Sequence, residues 1–226
     1  MPENGAIVTT IVSGKMTEAI AGRYGVHRIE TLTGFKYIGE QIHQFEQTGN
    51  YEFLFGYEES CGCLAGTYAR DKDAACGVLC LCEAAAYYRS RGISLAEQIQ
   101  KLKDKYGYYQ ERLVSRTAAG LDGMEKIRRT MEALRRDQPG EIMGYQVHRV
   151  RDYLSGTVYN HTGHPIGKTQ LPTSNVLYYE LEDSAWCCVR PSGTEPKVKF
   201  YCGVRGRSGE DAGQRSEKLC NWKGWL

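Results

Sequence analysis

The chain has 226 residues and a formal charge of +2, from 29 Lys and Arg against 27 Asp and Glu. That size suits one or two compact units, and the balance excludes a surface built as one electrostatic footprint for nucleic acid. Hydrophobic residues at 41% and charged residues at 25% exclude the low-apolar, high-charge composition of disordered chains.

Ala6 to Ile11 is a β-branched run that predicts a strand, and Met16, Ile20 and Tyr24 then recur at helical spacing. His27 to Leu32 predicts a second strand, followed by a helix over Phe35 to Phe45 with Ile38, Ile42 and Phe45 on one face. Tyr51 to Phe55 predicts a third strand. The helix from Asp73 to Arg89 is expected to bury Ala75, Val78, Leu79, Cys82, Ala85 and Ala86. Ser94-Leu95-Ala96-Glu97 reads as a capping box opening a helix that stops at Gly107. Tyr108 to Thr117 is read as a further strand. The small segment Thr117-Ala118-Ala119-Gly120 marks the expected boundary, before a helix carrying Met124, Ile127, Met131 and Leu134 on one face.

Beyond Pro139-Gly140 come strand-like runs at Tyr145 to Val150, Val176 to Leu181, Ala185 to Arg190 and Val198 to Val204. Asp152 to Thr173 reads as a loop with one added strand at Gly156 to Tyr159, and Ser208 to Cys220 as a helix weakened by Gly209 and Gly213. The expected fold is an α/β domain, a mixed sheet with flanking helices, over 1–117. A smaller α+β domain, an antiparallel sheet with helices, follows over 118–226.

No apolar run reaches the roughly 18 to 20 residues of a membrane-crossing helix. Met1 to Gly5 lacks the basic patch and apolar stretch of a leader, so a cytoplasmic setting is expected. The nine Cys, at Cys61, Cys63, Cys76, Cys80, Cys82, Cys187, Cys188, Cys202 and Cys220, lack the repeated C-x-x-C spacing of a zinc site. They read as small buried hydrophobes in a reducing compartment.

Two loops carry the candidate chemistry. Gly56-Tyr57-Glu58-Glu59-Ser60-Cys61-Gly62 places two carboxylates beyond the third strand, where ligands gather in open α/β sheets and where paired acceptors suit vicinal sugar hydroxyls. Arg190-Pro191-Ser192-Gly193-Thr194-Glu195-Pro196-Lys197, with Lys199 two residues on, combines cations, hydroxyl donors and a glycine, the set a phosphate needs.

The Arg190 to Lys197 octet resembles the phosphate-binding loop of the α-D-phosphohexomutases, which interconvert sugar 1-phosphates and sugar 6-phosphates. Thr33-Gly34-Phe35-Lys36-Tyr37-Ile38-Gly39, Gly56 to Gly62, and Gly66-Thr67-Tyr68-Ala69-Arg70-Asp71-Lys72-Asp73 match the family in the same order. The resemblance implies the third and fourth of four domains, the third lacking its first helix. It implies that Glu58 and Ser60, with Glu59 adjoining, contact sugar hydroxyls. Lys36 and Arg70 would serve the reacting phosphoryl group, and Arg190, Ser192, Gly193, Thr194 and Lys199 would hold the other phosphate.

The family's phosphoserine loop and its Asp-Gly-Asp-x-Asp-Arg metal loop are not in this sequence. The resemblance implies Mg²⁺ and a bisphosphorylated sugar for the full-length enzyme, with no metal held by this chain. The expected function is therefore the C-terminal part of a phosphoglucomutase-type mutase, inactive alone, with a phosphosugar as ligand and the missing N-terminal domains as partner. The alternative is a stand-alone phosphosugar-binding or regulatory module. His27, His43, His148, His161 and His164 match no motif and read as structural or surface residues.

Overall fold

The computed structural model describes residues 1–118, 120 and 122–225. It divides into two compact units, Met1–Gly107 and Tyr108–Leu226. Ala119, part of the expected boundary segment, lies outside the described residues.

The first unit begins with β1 (Gly5–Thr10), α1 (Met16–Tyr24), β2 (His27–Thr31), α2 (Phe35–Thr48) and β3 (Glu52–Tyr57). β4 (Cys63–Ala65), α3 (Ala74–Arg89) and α4 (Leu95–Tyr106) complete it. The sheet order is β2-β1-β3-β4, with β1 parallel to both β2 and β3, and β4 antiparallel to β3. Ala6, Val8, Phe53 and Leu64 pack with Phe35, Ile38, Ile42 and Phe45 of α2, which is the apolar face the 3.6-residue spacing predicts. The capping box is formed: the Ser94 amide donates to Glu97 at 2.7 Å and the Glu97 amide to Ser94 Oγ at 3.1 Å. β4 was not expected, because three residues carry no periodic signal.

The expectation for α3 fails. None of its residues is buried, and Val78, Leu79 and Leu81 are each about 60% exposed. The helix is apolar on nearly every side, so its pattern does not select a face, and within its own unit it meets chiefly β4 and α4.

The second unit contains β5 (Tyr108–Thr117), α5 (Gly123–Arg136), β6 (Glu141–Ile142), β7 (Tyr145–Asp152), β8 (Thr157–Asn160) and β9 (Pro165–Lys168). It ends with β10 (Leu177–Leu181), β11 (Trp186–Pro191), β12 (Lys197–Gly206) and α6 (Gly209–Cys220). Its antiparallel sheet runs β5-β12-β11-β10-β7-β8-β9, with β6 paired on β7. Ile127, Met131 and Leu134 of α5, Leu219 of α6 and Trp225 pack on Val150, Tyr179, Val189, Phe200 and Cys202. Trp225 stacks on Phe200 with ring centres 5.3 Å apart.

The units part at Gly107 rather than after Thr117, because all ten residues of β5 pair with β12. The second unit is therefore the longer, not the smaller. The Asp152 to Thr173 segment holds two strands where one was expected. β9 contains Pro165 and Gly167 and is exposed throughout, and an outer strand tolerates a residue without an N–H. In α6, Gly209 is the first helical residue and Ser208 accepts from the Asp211 amide at 3.1 Å, so the cap offsets the glycines. Met124 is 50% exposed, off the buried face of α5.

Candidate functional site

In the first unit the chain runs from β1 to β2 on one side and returns through α2 to β3 on the other. The crevice between the carboxyl ends of β1 and β3 is therefore the topological switch point, where open α/β sheets bind ligands. The acidic loop, Glu58 to Gly62, lies there as the turn between β3 and β4, closed by the Glu58 amide donating to the Gly62 carbonyl at 2.8 Å. Cys61 takes φ +67° in this turn, a left-handed conformation costly for a non-glycine residue.

Glu58 is 8% exposed. Its Oε1 accepts from the Gly34 amide at the start of α2 at 3.0 Å, and its Oε2 lies 3.8 Å from Lys72 Nζ. Glu59 turns toward β1, where Oε2 accepts from Thr10 Oγ1 at 2.9 Å; Thr10 Oγ1 also lies 2.9 Å from Ser13 Oγ. Ser60 is exposed at the tip. Sequence reasoning missed Thr10, Ser13 and Lys72. Two small hydroxyls after a strand look like ordinary turn chemistry, and Lys72 sits in a charged run that reads as a solvated helix start.

Lys36 and Arg70 do come together. They line one open cavity of about 530 Å³ with Gly39, Glu40, His43 and Gln44. His43, read from sequence as structural or surface, is thus placed beside two predicted site residues. Lys36 Nζ lies 4.7 Å from the Tyr37 ring centre and is exposed. Arg70 is tied down: Nη2 bonds Glu46 at 2.5 Å, and Nη1 donates to the carbonyls of Thr67 at 2.6 Å and Ala69 at 3.1 Å. Its segment crosses α2 at Gly39, where a Cβ would lie 2.4 Å from the Arg70 carbonyl oxygen. That contact explains why the helix motif ends in glycine. Asp73 caps α3 by accepting from the Ala75 amide at 2.8 Å, and it accepts from the Tyr68 hydroxyl at 2.5 Å. Those bonds hold its carboxyl below the usual range, the Tyr68 bond most of all.

In the second unit the basic loop is the hairpin between β11 and β12. Ser192 N–H donates to the Lys197 carbonyl at 2.7 Å, and Lys197 N–H to the Glu195 carbonyl at 2.7 Å. Arg190 is the register partner of Lys199, and Lys199 that of Ser115 on β5, so the three share one face of the sheet. Like charges directly opposite on neighbouring strands are unfavourable. Among the described residues, neither Arg190 nor Lys199 has an ion-pair partner, whereas Lys197 Nζ lies 3.4 Å from Glu195. Thr194 N–H reaches Ser192 Oγ at 3.5 Å, and Gly193 and Thr194 are exposed. Arg190 and Lys199 thus stand beside the half-buried Ser192 and the exposed Thr194 at one hairpin.

Among the described residues, no group of three His, Cys, Asp or Glu is placed to hold a metal. Asp71 is engaged by Lys72 and Asp73 by its helix, so this pair does not offer the oxygen set Mg²⁺ requires. No helix among the described residues is long and apolar enough to cross a membrane.

Comparison with known proteins agrees with this architecture. Residues 1–106 match the family model for phosphoglucomutase/phosphomannomutase, alpha/beta/alpha domain III. The phosphoglucomutase of Staphylococcus aureus strain MSSA476 is 34% identical over 209 residues, 92% of this chain and 37% of that protein. The strain USA300 protein is 33% identical over the same span. The structure of pp63/parafusin, a phosphoglucomutase of Paramecium, superposes with a TM-score of 0.58 at 15% identity, covering 94% of this chain and 36% of that one. The first unit and the whole-chain fold are of the phosphohexomutase class. The chain belongs to the α-D-phosphohexomutase family, as a C-terminal portion, and spans about 37% of the length of the relatives it matches.

Proposed function

We propose that this chain supplies the sugar-binding and phosphate-binding loops of a phosphoglucomutase-type enzyme. That enzyme interconverts glucose 1-phosphate and glucose 6-phosphate by phosphoryl transfer through a bisphosphorylated sugar. The observation that carries the reading is the pair Arg190 and Lys199, opposed in register and, among the described residues, without an acidic ion-pair partner. A phosphate dianion between them replaces a repulsion with two charge-assisted contacts. Arg190 presents a fork to two phosphate oxygens, Ser192 and Thr194 donate from their hydroxyls, and Gly193 leaves the backbone open to a close approach.

The acidic loop then serves the sugar. A carboxylate offers about four acceptor sites. Glu58 uses one for the Gly34 amide and turns another toward Lys72, so capacity remains for a ring hydroxyl. Ser60 at the exposed tip makes the adjustable contact, and Glu59, held by Thr10, stiffens the loop between them. Lys36 neutralises charge on a transferring phosphoryl group, and Arg70, pinned by Glu46, fixes the loop crossing α2 beside it. Mg²⁺, which the full-length enzyme would use, is held outside this chain in this reading. A cytoplasmic setting accords with nine free thiols.

Calorimetric titration of the chain tests this. Glucose 6-phosphate is expected to bind and glucose is not, with binding lost in Arg190→Ala. No turnover of glucose 1-phosphate is expected from the chain alone. Equal binding of the sugar and its phosphate, or Mg²⁺-dependent turnover by the purified chain, contradicts the proposal.

A further inference from the structure

In the second unit, two thiols read from sequence as inert core filling meet. Cys202, in the middle of β12, is fully buried, and Cys220, the last residue of α6, is half-buried. Their sulfurs are 2.8 Å apart, within about 0.8 Å of the length of a disulfide bond. The elements that carry them are already docked: Arg112 Nε on β5 donates to Ser216 Oγ of α6 at 2.8 Å, and Cys202 Sγ lies 3.8 Å from the Ser216 carbonyl oxygen. A third thiol, Cys187, is the register partner of Cys202 on β11 and is also fully buried. A burial role alone requires no contact between the two sulfurs.

We propose that Cys202 and Cys220 are a redox-active dithiol, closed into a reversible cross-link between β12 and α6 by a small-molecule disulfide such as oxidised glutathione. The Cys220 thiolate attacks one sulfur of the oxidant, the oxidant's S–S bond breaks, and one glutathione leaves as its thiolate. The Cys202 sulfur then attacks Cys220 in the mixed disulfide, and the second glutathione leaves. Two protein thiols give up two electrons and two protons, and the oxidant is released as two thiols. Cys220 is the attacking group because it is the one open to solvent. The Cys202 S–H and the Arg112 charge also hold its thiol below the usual range, whereas the Cys220 contact and burial push the Cys202 thiol up.

The bridge would close a loop of 18 residues, restricting the unfolded chain and raising the unfolding midpoint by about 5–10 °C. The exposed Cys61 and Cys82 also react with the oxidant, so the test is a map of linkages rather than a thiol count. The full chain is equilibrated in a glutathione redox buffer, its free thiols are alkylated, and its peptides are analysed by mass spectrometry. The expected result is a Cys202–Cys220 linked peptide, about 2 Da lighter than its two thiol halves, with the midpoint shift reversed by dithiothreitol. Cys220→Ser is expected to lose both the link and the shift, and Cys187→Ser to keep both. A Cys187–Cys202 link, or Cys220 recovered only as its glutathione adduct, overturns the proposal. Both outcomes are read on the unmodified chain, so they stand whether or not a variant folds.

Discussion

In the β3–β4 loop both acidic side chains already have partners inside their own unit, whereas at the β11–β12 hairpin two cations are opposed in register without an acidic partner among the described residues. Glu58 is held by Gly34 and Lys72, and Glu59 by Thr10. Arg190 and Lys199 are held by nothing of opposite charge among the described residues. The first loop is positioned by satisfying its charges internally, which costs little when its ligand is absent. The second keeps its charge uncompensated, so its strongest partner must come from outside. Mutations in the first are therefore expected to register mainly in stability, and in the second mainly in affinity.

The largest effect is expected where backbone meets backbone. Gly39→Ala drives a Cβ into the Arg70 carbonyl and should destabilise the first unit by about 2–3 kcal/mol, seen as a lower urea midpoint in the transition that reports on that unit. Arg190→Ala should weaken glucose 6-phosphate binding about 10–100-fold while moving the unfolding midpoint by less than about 2 °C; calorimetry and thermal melts separate the two. Glu58→Ala should cost about 1–2 kcal/mol of stability, because the Gly34 amide loses its acceptor. A loss of sugar-phosphate affinity in that variant without a loss of stability would erase the contrast between the loops. Lys199→Ala should gain about 0.5 kcal/mol in phosphate-free buffer by removing the repulsion with Arg190, and a loss there would show that the two cations are compensated after all.

The smallest effect concerns pH. The Tyr68 hydroxyl and the Ala75 amide hold the Asp73 carboxyl below its ordinary range. Its folded value is thus the lower one, so its contribution is present above the unfolded carboxylate range and lost as pH falls through the folded value. Tyr68→Phe should move the Asp73 titration, followed by NMR, upward.

Much of this was legible in the sequence because the chemistry is local. Ile38, Ile42 and Phe45 show the buried face of α2 by spacing, Ser94 and Glu97 show a cap, and Arg190 to Lys199 places its charges within one hairpin. What was not legible depends on long-range pairing. β5 reads as a strand but not as a partner of β12, so the sequence places the unit boundary ten residues beyond Gly107. β9 hides behind Pro165 and Gly167, which an outer strand tolerates. α3 is apolar on nearly every side, so its spacing does not report which residues are covered. In the site, Thr10 and Lys72 are brought to the acidic loop by sheet order and by the turn after β4, and neither has a local signature.

The most direct test of the central claim is a backbone-amide NMR titration of the full chain with glucose 6-phosphate. The account expects shifts at Gly193 and its neighbours over residues 190–199, removed by Arg190→Ala and retained in Lys36→Ala. Shifts that survive Arg190→Ala, or that spare residues 190–199 altogether, would contradict the assignment of the phosphate to this hairpin.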